Sequence, residues 1–432
     1  MHHFIGIKGS GMSSLAIVMK KLGYDVCGSD YDKPFFTEKN LISNGISVFP
    51  FSSDNIKSGM IIVKGNIFDD DNVEVSEAKK LGLEIYSYQE MVDIITSKYD
   101  LIAVSGCHGK TTTSKLLSYV FDSNYLVGDG SGDISDSPYF VLEACEYKRH
   151  FLSYYPKITI ITNIDLDHID YFDSITDVVS AYQSFVAQSQ VVIACGDNEY
   201  VRELDGVNYL YGLGENNDFI ASNVLYSDSG ISFDFYAFDE FIRHICVPFY
   251  GKHMVLNTLA VLSVCYIEGY DFDKIDFKLN SFKGADRRFN EYFVLDNVVI
   301  DDYAHHPNEI RSVITATRQK YPNKNLVCIF EPHTFSRVCK FYLEMADELN
   351  KSDYCYVMDI YKSRENPLEY NGISSELILK HINSGEYLSK GDFSKLLKYN
   401  NSVLLFMSPN DLNDFEKKYI EMYLFYNGNE CV

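Results

Sequence analysis

Apolar runs of four to six residues alternate with segments of helical period along the chain, the pattern of a layered α/β protein with parallel strands. The first run, residues 4–7, enters a glycine turn at Gly6, Gly9 and Gly11 and then a helix that aligns Leu15, Val18, Met19 and Leu22 on one face. A second strand ends at Gly28-Ser29-Asp30, which completes a βαβ outline with an acid at the strand tip. A strand over 101–104 leads through another glycine turn into a helix that buries Leu116, Leu117 and Val120. Further strands are predicted over 139–142, 158–162 and 191–194, then over 231–236, with a long helix after Gly251. Strands over 298–302, 326–330, 354–358 and 403–407 close the series. Changes of texture divide the chain into blocks 1–96, 97–285 and 286–432. Residues 214–243, rich in Asn, Asp and Ser, read as turns with short strands, and no short-period repeat or low-complexity tract is present.

A length of 432 residues fits this division, since domains usually hold about 100–200 residues. The formal charge of −23, from 38 Lys and Arg against 61 Asp and Glu, would repel a nucleic-acid backbone, and no basic patch offsets it. Anionic small molecules must then be met by local devices: helix N-termini, a divalent cation and a few placed basic residues. Ten cysteines (27, 107, 145, 195, 246, 265, 328, 339, 355, 431) form no C-x-x-C pair, which suits a reducing compartment and points to neither a disulfide framework nor a zinc cluster. The first residues lack the apolar stretch of a signal peptide. No run approaches the roughly 18 apolar residues of a membrane span. A cytoplasmic protein with no membrane and no nucleic-acid partner is expected.

The turn Gly106-Cys107-His108-Gly109-Lys110-Thr111-Thr112-Thr113 is the most informative stretch. Its glycines let backbone N–H groups converge on phosphate oxygens, the following helix points its positive end there, and Lys110 adds charge at the β/γ end. Thr111 would offer its hydroxyl to magnesium. Val104 stands where a full G-x-x-x-x-G-K-[ST] pattern has its first glycine. The earlier turn, with Gly9, Ser10, Gly11, Met12 and Ser13, is a weaker diphosphate signal, strengthened by Ser29 and Asp30.

Other candidates follow predicted strands. Glu143 and Glu146 come after the strand over 139–142; either can hold magnesium, the other beginning a solvated helix, and Glu143 is preferred for its nearness to the strand. In Thr162-Asn163-Ile164-Asp165-Leu166-Asp167-His168, His168 could serve a second magnesium or a phosphate; alternatively the aspartates cap a helix and His168 packs on Tyr171. His253 and Asn257, four residues apart, share a helix face, and Asn257 could read an adenine edge. Asp301 is read as a ribose contact, and His305 or His306 as a substrate contact. His333, Thr334, Ser336 and Arg337 form a set suited to a carboxylate.

Taken in order, these motifs resemble the bacterial Mur ligases. The resemblance runs from residues 6–13 through Gly28-Ser29-Asp30, 106–113, Glu143-Ala144-Cys145-Glu146-Tyr147, 162–171, 251–257, Arg287-Arg288-Phe289 and 301–307 to 333–337. It implies an N-terminal Rossmann-like domain for the UDP-sugar, a central P-loop ATPase domain, and a C-terminal Rossmann-like α/β domain that brings the amino acid. The reaction it implies joins L-alanine to the lactyl carboxylate of UDP-N-acetylmuramate through an acyl phosphate, with ATP and magnesium, in a monomer or homodimer. By the same resemblance Lys110 holds the β/γ-phosphates, Thr111 and Glu143 hold one magnesium, and His168 helps hold another. Asn257, Arg288 and Asp301 embrace the nucleotide, while His305, His306, His333 and Arg337 fall at the amino-acid end. Residues from all three domains take part, so ligands are expected to close the protein. Departures are Lys8 in the first turn, Cys107 in the second, Met254 after His253, and Ser408-Pro409-Asn410-Asp411 where a glycine-rich turn is usual. A ligase that attaches a ready-made peptide to the same sugar, and a non-catalytic sensor of UDP-muramyl compounds or ATP, are the alternatives.

Overall fold

Strands β1 (His2–Ile5), β2 (Val26–Asp30), β3 (Ser47–Pro50), β4 (Ile61–Lys64) and β5 (Glu84–Ser87) form a parallel sheet in the order β3-β2-β1-β4-β5. Alternate residues serve its two faces: Phe4 and Val63 join the core that holds Leu15 and Val18, while Ile5 and Ile62 pack with Phe68 and Val75. The computed structural model describes residues 1–427 except Pro34, Asp286, Arg364, Asn410 and Asp411, with the backbone alone for Asn413 and Asp414. Two units divide the chain, residues 1–221 with 235–242 and 256–282, and residues 222–234 with 243–255 and 283–432.

The first unit also carries most of a ten-stranded sheet built from β6 (Asp100–Ser105), β7 (Asn124–Leu126), β8 (Gly132–Asp133), β9 (Tyr139–Glu143), β10 (Ile158–Ile161), β11 (Val191–Cys195), β12 (Tyr209–Gly212), β13 (Phe219–Ser227), β14 (Gly230–Ala237) and β15 (Glu240–Val247). Its order is β15-β14-β13-β12-β11-β10-β6-β9-β7-β8. Strand β6 lies between β9 and β10, parallel to both, with Val104 opposite Glu143 and Ser105 opposite Ile161. The residues that follow these three strands therefore emerge side by side at one edge, at a point where the chain switches direction across the sheet.

Residues 214–243 depart from the expectation of short strands: β13 has nine residues, and β14 and β15 eight each. Phe238 and Asp239 both have positive φ (49° and 66°), the backbone of a tight two-residue hairpin turn between β14 and β15. Alternation makes the strands: Ile231, Phe233, Phe235 and Ala237 are buried while most intervening residues are less so.

The second unit contains β16 (Asn290–Val294), β17 (Asn297–Asp302), β18 (Asn325–Phe330), β19 (Tyr354–Val357), β20 (Gly385–Tyr387) and β21 (Ser402–Met407), ordered β16-β17-β21-β18-β19-β20. β16 and β17 are an antiparallel pair and the rest run parallel. Met407 sits opposite both Asp302 and Phe330, so the ends of β17, β21 and β18 are level. One face packs Ile300, Phe330 and Leu405, and the other packs Val299, Ile329 and Phe406 beneath Tyr419 and Tyr423 of the helix Asn413–Asn427. Cys431 lies outside the described residues, and the other nine cysteines are free thiols. Among the described residues no helix is long and apolar enough to cross a membrane.

Candidate active site

Gly106 (φ 135°) and Gly109 (φ 84°) take backbone conformations that L side chains rarely adopt. A Cβ at Gly106 would collide with the Thr162 hydroxyl, and one at Gly109 would lie 2.8 Å from Asn257 Oδ1. The turn between them is held by the strand next door. His108 N donates to Asn163 Oδ1 (2.9 Å), and His108 O accepts from Thr162 Oγ1 (2.6 Å) and Asn163 Nδ2 (2.8 Å). Cys107 Sγ donates to Asp165 O and accepts from Asp165 N, both at 3.1 Å. Burial, then the nearby Glu146 charge, pushes the Cys107 thiol well up, so it serves this turn as a neutral packing group. Thr162 and Asn163 thus hold the turn, a role not assigned to them from the sequence; the signal was their place directly after a strand adjacent to β6.

Gly109 begins the helix Lys110–Phe121, which has no side-chain cap and no acid in its first turn. Its N-terminal amides are thus not claimed by the helix's own side chains, the arrangement that favours an anion. Lys110 folds over the turn, donating to Gly106 O, to Cys107 O (3.3 Å) and to both Glu146 oxygens (3.2 and 3.0 Å). Burial opposes its charge, but Glu146 and the surrounding acidic groups outweigh burial and hold the ammonium above its ordinary range. Thr111 Oγ1 donates to Glu143 Oε2 (3.1 Å), which also accepts from Gly128 N (2.9 Å). Burial raises the Glu143 carboxyl. The reading of one glutamate as solvated is corrected: Glu146 is 1 % exposed and contacts Lys110. His168 reaches the group through Glu146, its Nε2 lying 3.6 Å from Oε1, in a left-handed backbone conformation (φ 52°). Its ring packs on Tyr147 at 4.8 Å between centroids.

The first glycine turn leads into the helix Ser10–Lys21, with Gly9 at its N-cap. Met12 and Ser13 are buried, Ser10 and Gly11 half-buried and Gly9 exposed. Ser14 Oγ donates to Val127 O (2.9 Å), tying this helix to the loop that Glu143 grips at Gly128. Ser29 and Asp30, read from the sequence as strengthening the diphosphate signal of this turn, are both engaged inside the fold. Ser29 is fully buried and donates to Glu74, with His3 Nε2 at 3.3 Å. Asp30 accepts from the backbone amides of Lys8 and Tyr31, each at 2.7 Å, so it fastens the turn. Lys8, the odd residue of the turn, donates to Lys33 O (2.8 Å) and Tyr31 O (3.3 Å) and pairs with Glu38 (3.0 Å).

In the second unit the level ends of β17, β21 and β18 gather a second set. His305 and His333 meet edge to face at 5.1 Å, and His333 Nδ1 lies 2.7 Å from Arg337 Nη1. His305 Nδ1 lies 2.9 Å from Tyr303 O and 3.4 Å from Glu309 Oε2. Arg288 pairs with Glu309 at 3.6 Å and lies over Tyr303, whereas Asp301 pairs with Arg287 at 3.4 Å. His306 is buried at the N-cap of the helix Pro307–Lys320 with its ring against Phe341, a capping position rather than the open contact expected. Burial raises Asp302 to about 6, and burial followed by Arg288 lowers His253 to about 4. At the departure after β21, Ser408 donates its hydroxyl to Glu331 and its carbonyl accepts from Arg287 (2.7 Å), while Asn410 and Asp411 lie outside the described residues. Arg287, Glu309 and Glu331 are thus members of the set that sequence reasoning passed over.

An uncapped phosphate turn with a lysine and a threonine–glutamate pair, beside a doubly wound domain and followed by a second α/β sheet with its own histidine–arginine cluster, defines an ATP-dependent acid–amino acid ligase. Family models match in three consecutive segments: the Mur ligase family catalytic domain over residues 2–100, the Mur ligase middle domain over 131–265 and the Mur ligase glutamate ligase domain over 287–407. The chain belongs to the Mur ligase family. Among solved structures it is similar to the UDP-N-acetylmuramate-alanine ligase of Thermotoga maritima, at 25% identity, 99% coverage of both chains and a TM-score of 0.84. It is also similar to a murein peptide ligase of Psychrobacter arcticus, at 21% identity, 98% coverage of both and a TM-score of 0.69. A pseudomurein peptide ligase type C of Methanothermus fervidus matches at 17% identity, 98% of this chain, 99% of its own length and a TM-score of 0.67. The turn at 106–113 falls between the first two matched segments.

Proposed function

We propose that the chain joins L-alanine to the lactyl carboxylate of UDP-N-acetylmuramate, converting ATP to ADP and phosphate. The observation that carries the reading is the grouping of Lys110, Thr111 and Glu143 at an uncapped helix N-terminus. The full-length likeness to an alanine ligase, at a higher TM-score than to the peptide ligases, favours alanine over a peptide. On this reading residues 1–96 hold the UDP-sugar, 97–285 the ATP and 286–432 the amino acid.

A carboxylate resists attack because it is already anionic; phosphorylating it supplies a good leaving group. The lactyl carboxylate takes the γ-phosphoryl of ATP, and the alanine amine then displaces phosphate from the acyl carbon. Backbone amides of the 106–113 turn and Lys110 neutralise charge on the phosphate oxygens. Thr111 and Glu143 offer hard oxygen donors that fit magnesium, with His168 as a further donor, and magnesium when bound supplies charge neutralisation across the phosphates. Asn257, against Gly109, is assigned to the nucleotide, and on the Mur ligase likeness Arg288 and Asp301 are assigned nucleotide contacts of their own. Gly9, Ser10, Gly11, Met12 and Ser13 receive the UDP diphosphate at the start of the helix Ser10–Lys21. Arg337, held against His333, takes the alanine carboxylate, and His305 or His333 accepts the amine proton. A cytoplasmic setting, where ATP and the nucleotide-sugar are made, completes the reading.

Phosphate release from ATP, UDP-N-acetylmuramate and each of L-alanine, glycine, L-serine and a muramyl tripeptide tests the choice of acceptor. Release with L-alanine above the others is the expected result. Release with the tripeptide alone would transfer the chain to the peptide ligases.

A further inference from the structure

Glu146 takes no part in the scheme above, yet it is the most deeply engaged acid of the site. An ammonium has three N–H donors. Lys110 directs them at Gly106 O, Cys107 O and the Glu146 carboxylate. A phosphate oxygen can gain Lys110 only by exchange. The two carbonyls belong to the turn that would wrap the phosphate and cannot leave it, so the carboxylate is the partner that must yield. At 1 % exposure Glu146 has little water to screen its charge. His168 Nε2 lies 3.6 Å from Oε1, on hand to hold the carboxylate when Lys110 turns away.

We propose that Glu146 is a positioning residue that holds Lys110 in competition with the nucleotide, and so sets nucleotide affinity as well as the lysine's orientation. This rests on the reading that the 106–113 turn binds nucleotide phosphates. A merely structural acid would, when neutralised, loosen the turn and weaken binding. A competing acid has the opposite effect: Glu146→Gln frees Lys110 and removes a buried negative charge beside an anionic ligand.

The test is calorimetric titration of the full chain with ADP in EDTA. The Glu146→Gln variant is expected to bind ADP about tenfold tighter than the parent, while its kcat for phosphate release falls. In a Lys110→Ala background only the removal of the buried charge remains, so the same change should give a clearly smaller gain, and an equal gain in both backgrounds overturns the proposal. Glu146→Asp keeps the charge on a shorter arm and should fall between parent and Gln variant; it decides the matter if the Gln variant does not melt cooperatively. Unchanged or weaker ADP binding by a folded variant overturns the proposal while the phosphate reading stands. A parent that binds no ADP at all overturns both.

Discussion

Lys110 is placed by the strand, the turn and the acid that meet around it, and its replacement isolates its chemistry. Lys110→Ala is expected to lower kcat for phosphate release by about a hundredfold to a thousandfold, as for loss of one preorganised charge donor, with the melting temperature close to the parent's. An unchanged kcat would remove the residue from the reaction. A different pair governs stability. Burial alone would lower the His3 imidazole, but hydrogen bonds and charge from Cys27 and Glu74 raise it to about 9. Burial pushes Glu74 up, but its bonds from His3, Ser29, Asn55 and Ser52 leave it below the ordinary carboxyl range. The His3 contribution is full below its ordinary value of 6.5 and is lost as pH rises through about 9. The Glu74 contribution is present above 4.5 and is lost as pH falls through its lowered value. Protection of the β1 amides, taken relative to the intrinsic base-catalysed exchange rate, should therefore fall between pH 6.5 and 9. Glu74→Gln should cost about 3–5 kcal/mol near neutrality by stranding a buried charge. A variant with parental exchange rates and the parental pH slope would contradict this. Lys110, Thr111 and Glu143 were legible from type and spacing, but Glu146 was not. Two acids three residues apart after a strand look alike in sequence, and only the backbone path shows that the second turns inward.

The helix Lys110–Phe121 and the turn before it act as one part, because the glycines allow the amides to converge while Thr162 and Asn163 hold the turn from β10. Gly109→Ala combines a positive φ with a Cβ 2.8 Å from Asn257 Oδ1. ADP binding should weaken about tenfold or more, in line with strain of one to three kcal/mol, whereas exchange in the distant sheet β1–β5 should not change. Binding at the parental affinity would separate the turn from the nucleotide. The strands flanking this turn were legible because buried parallel strands read as continuous apolar runs. The region of β13 to β15 was not, since Asn, Asp and Ser at exposed positions of an alternating strand resemble loop residues when composition is read without its period of two. Ser29 was misplaced for a related reason. A strand-tip position suggests a ligand, but the packing of the helix Val73–Lys80 brings Glu74 over it and turns the hydroxyl inward.

The residues assigned to the reaction come from both units, 110, 111, 143 and 257 from the first and 288, 301, 305, 333 and 337 from the second. A reaction through an acyl phosphate also has to exclude water. ATP and UDP-N-acetylmuramate together should therefore slow limited proteolysis more than either alone. Equal protection by ATP alone would argue against ligand-driven closure. The alternation of strands and helices that builds the parallel sheets could be read from the apolar runs and helical periods, because each strand–helix unit repeats the same binary pattern. The insertion of β21 between β17 and β18 could not, since the strand that fills that gap comes last in the chain and only long-range pairing places it. The most direct measurement follows oxygen rather than rate. UDP-N-acetylmuramate carrying ¹⁸O in its lactyl carboxylate, turned over with ATP and L-alanine, should deliver one labelled oxygen to the released phosphate, because the carboxylate oxygen that attacks the γ-phosphorus leaves with it when the amine displaces phosphate. Phosphate released without label would mean that ATP is cleaved by water and that the carboxylate is never activated.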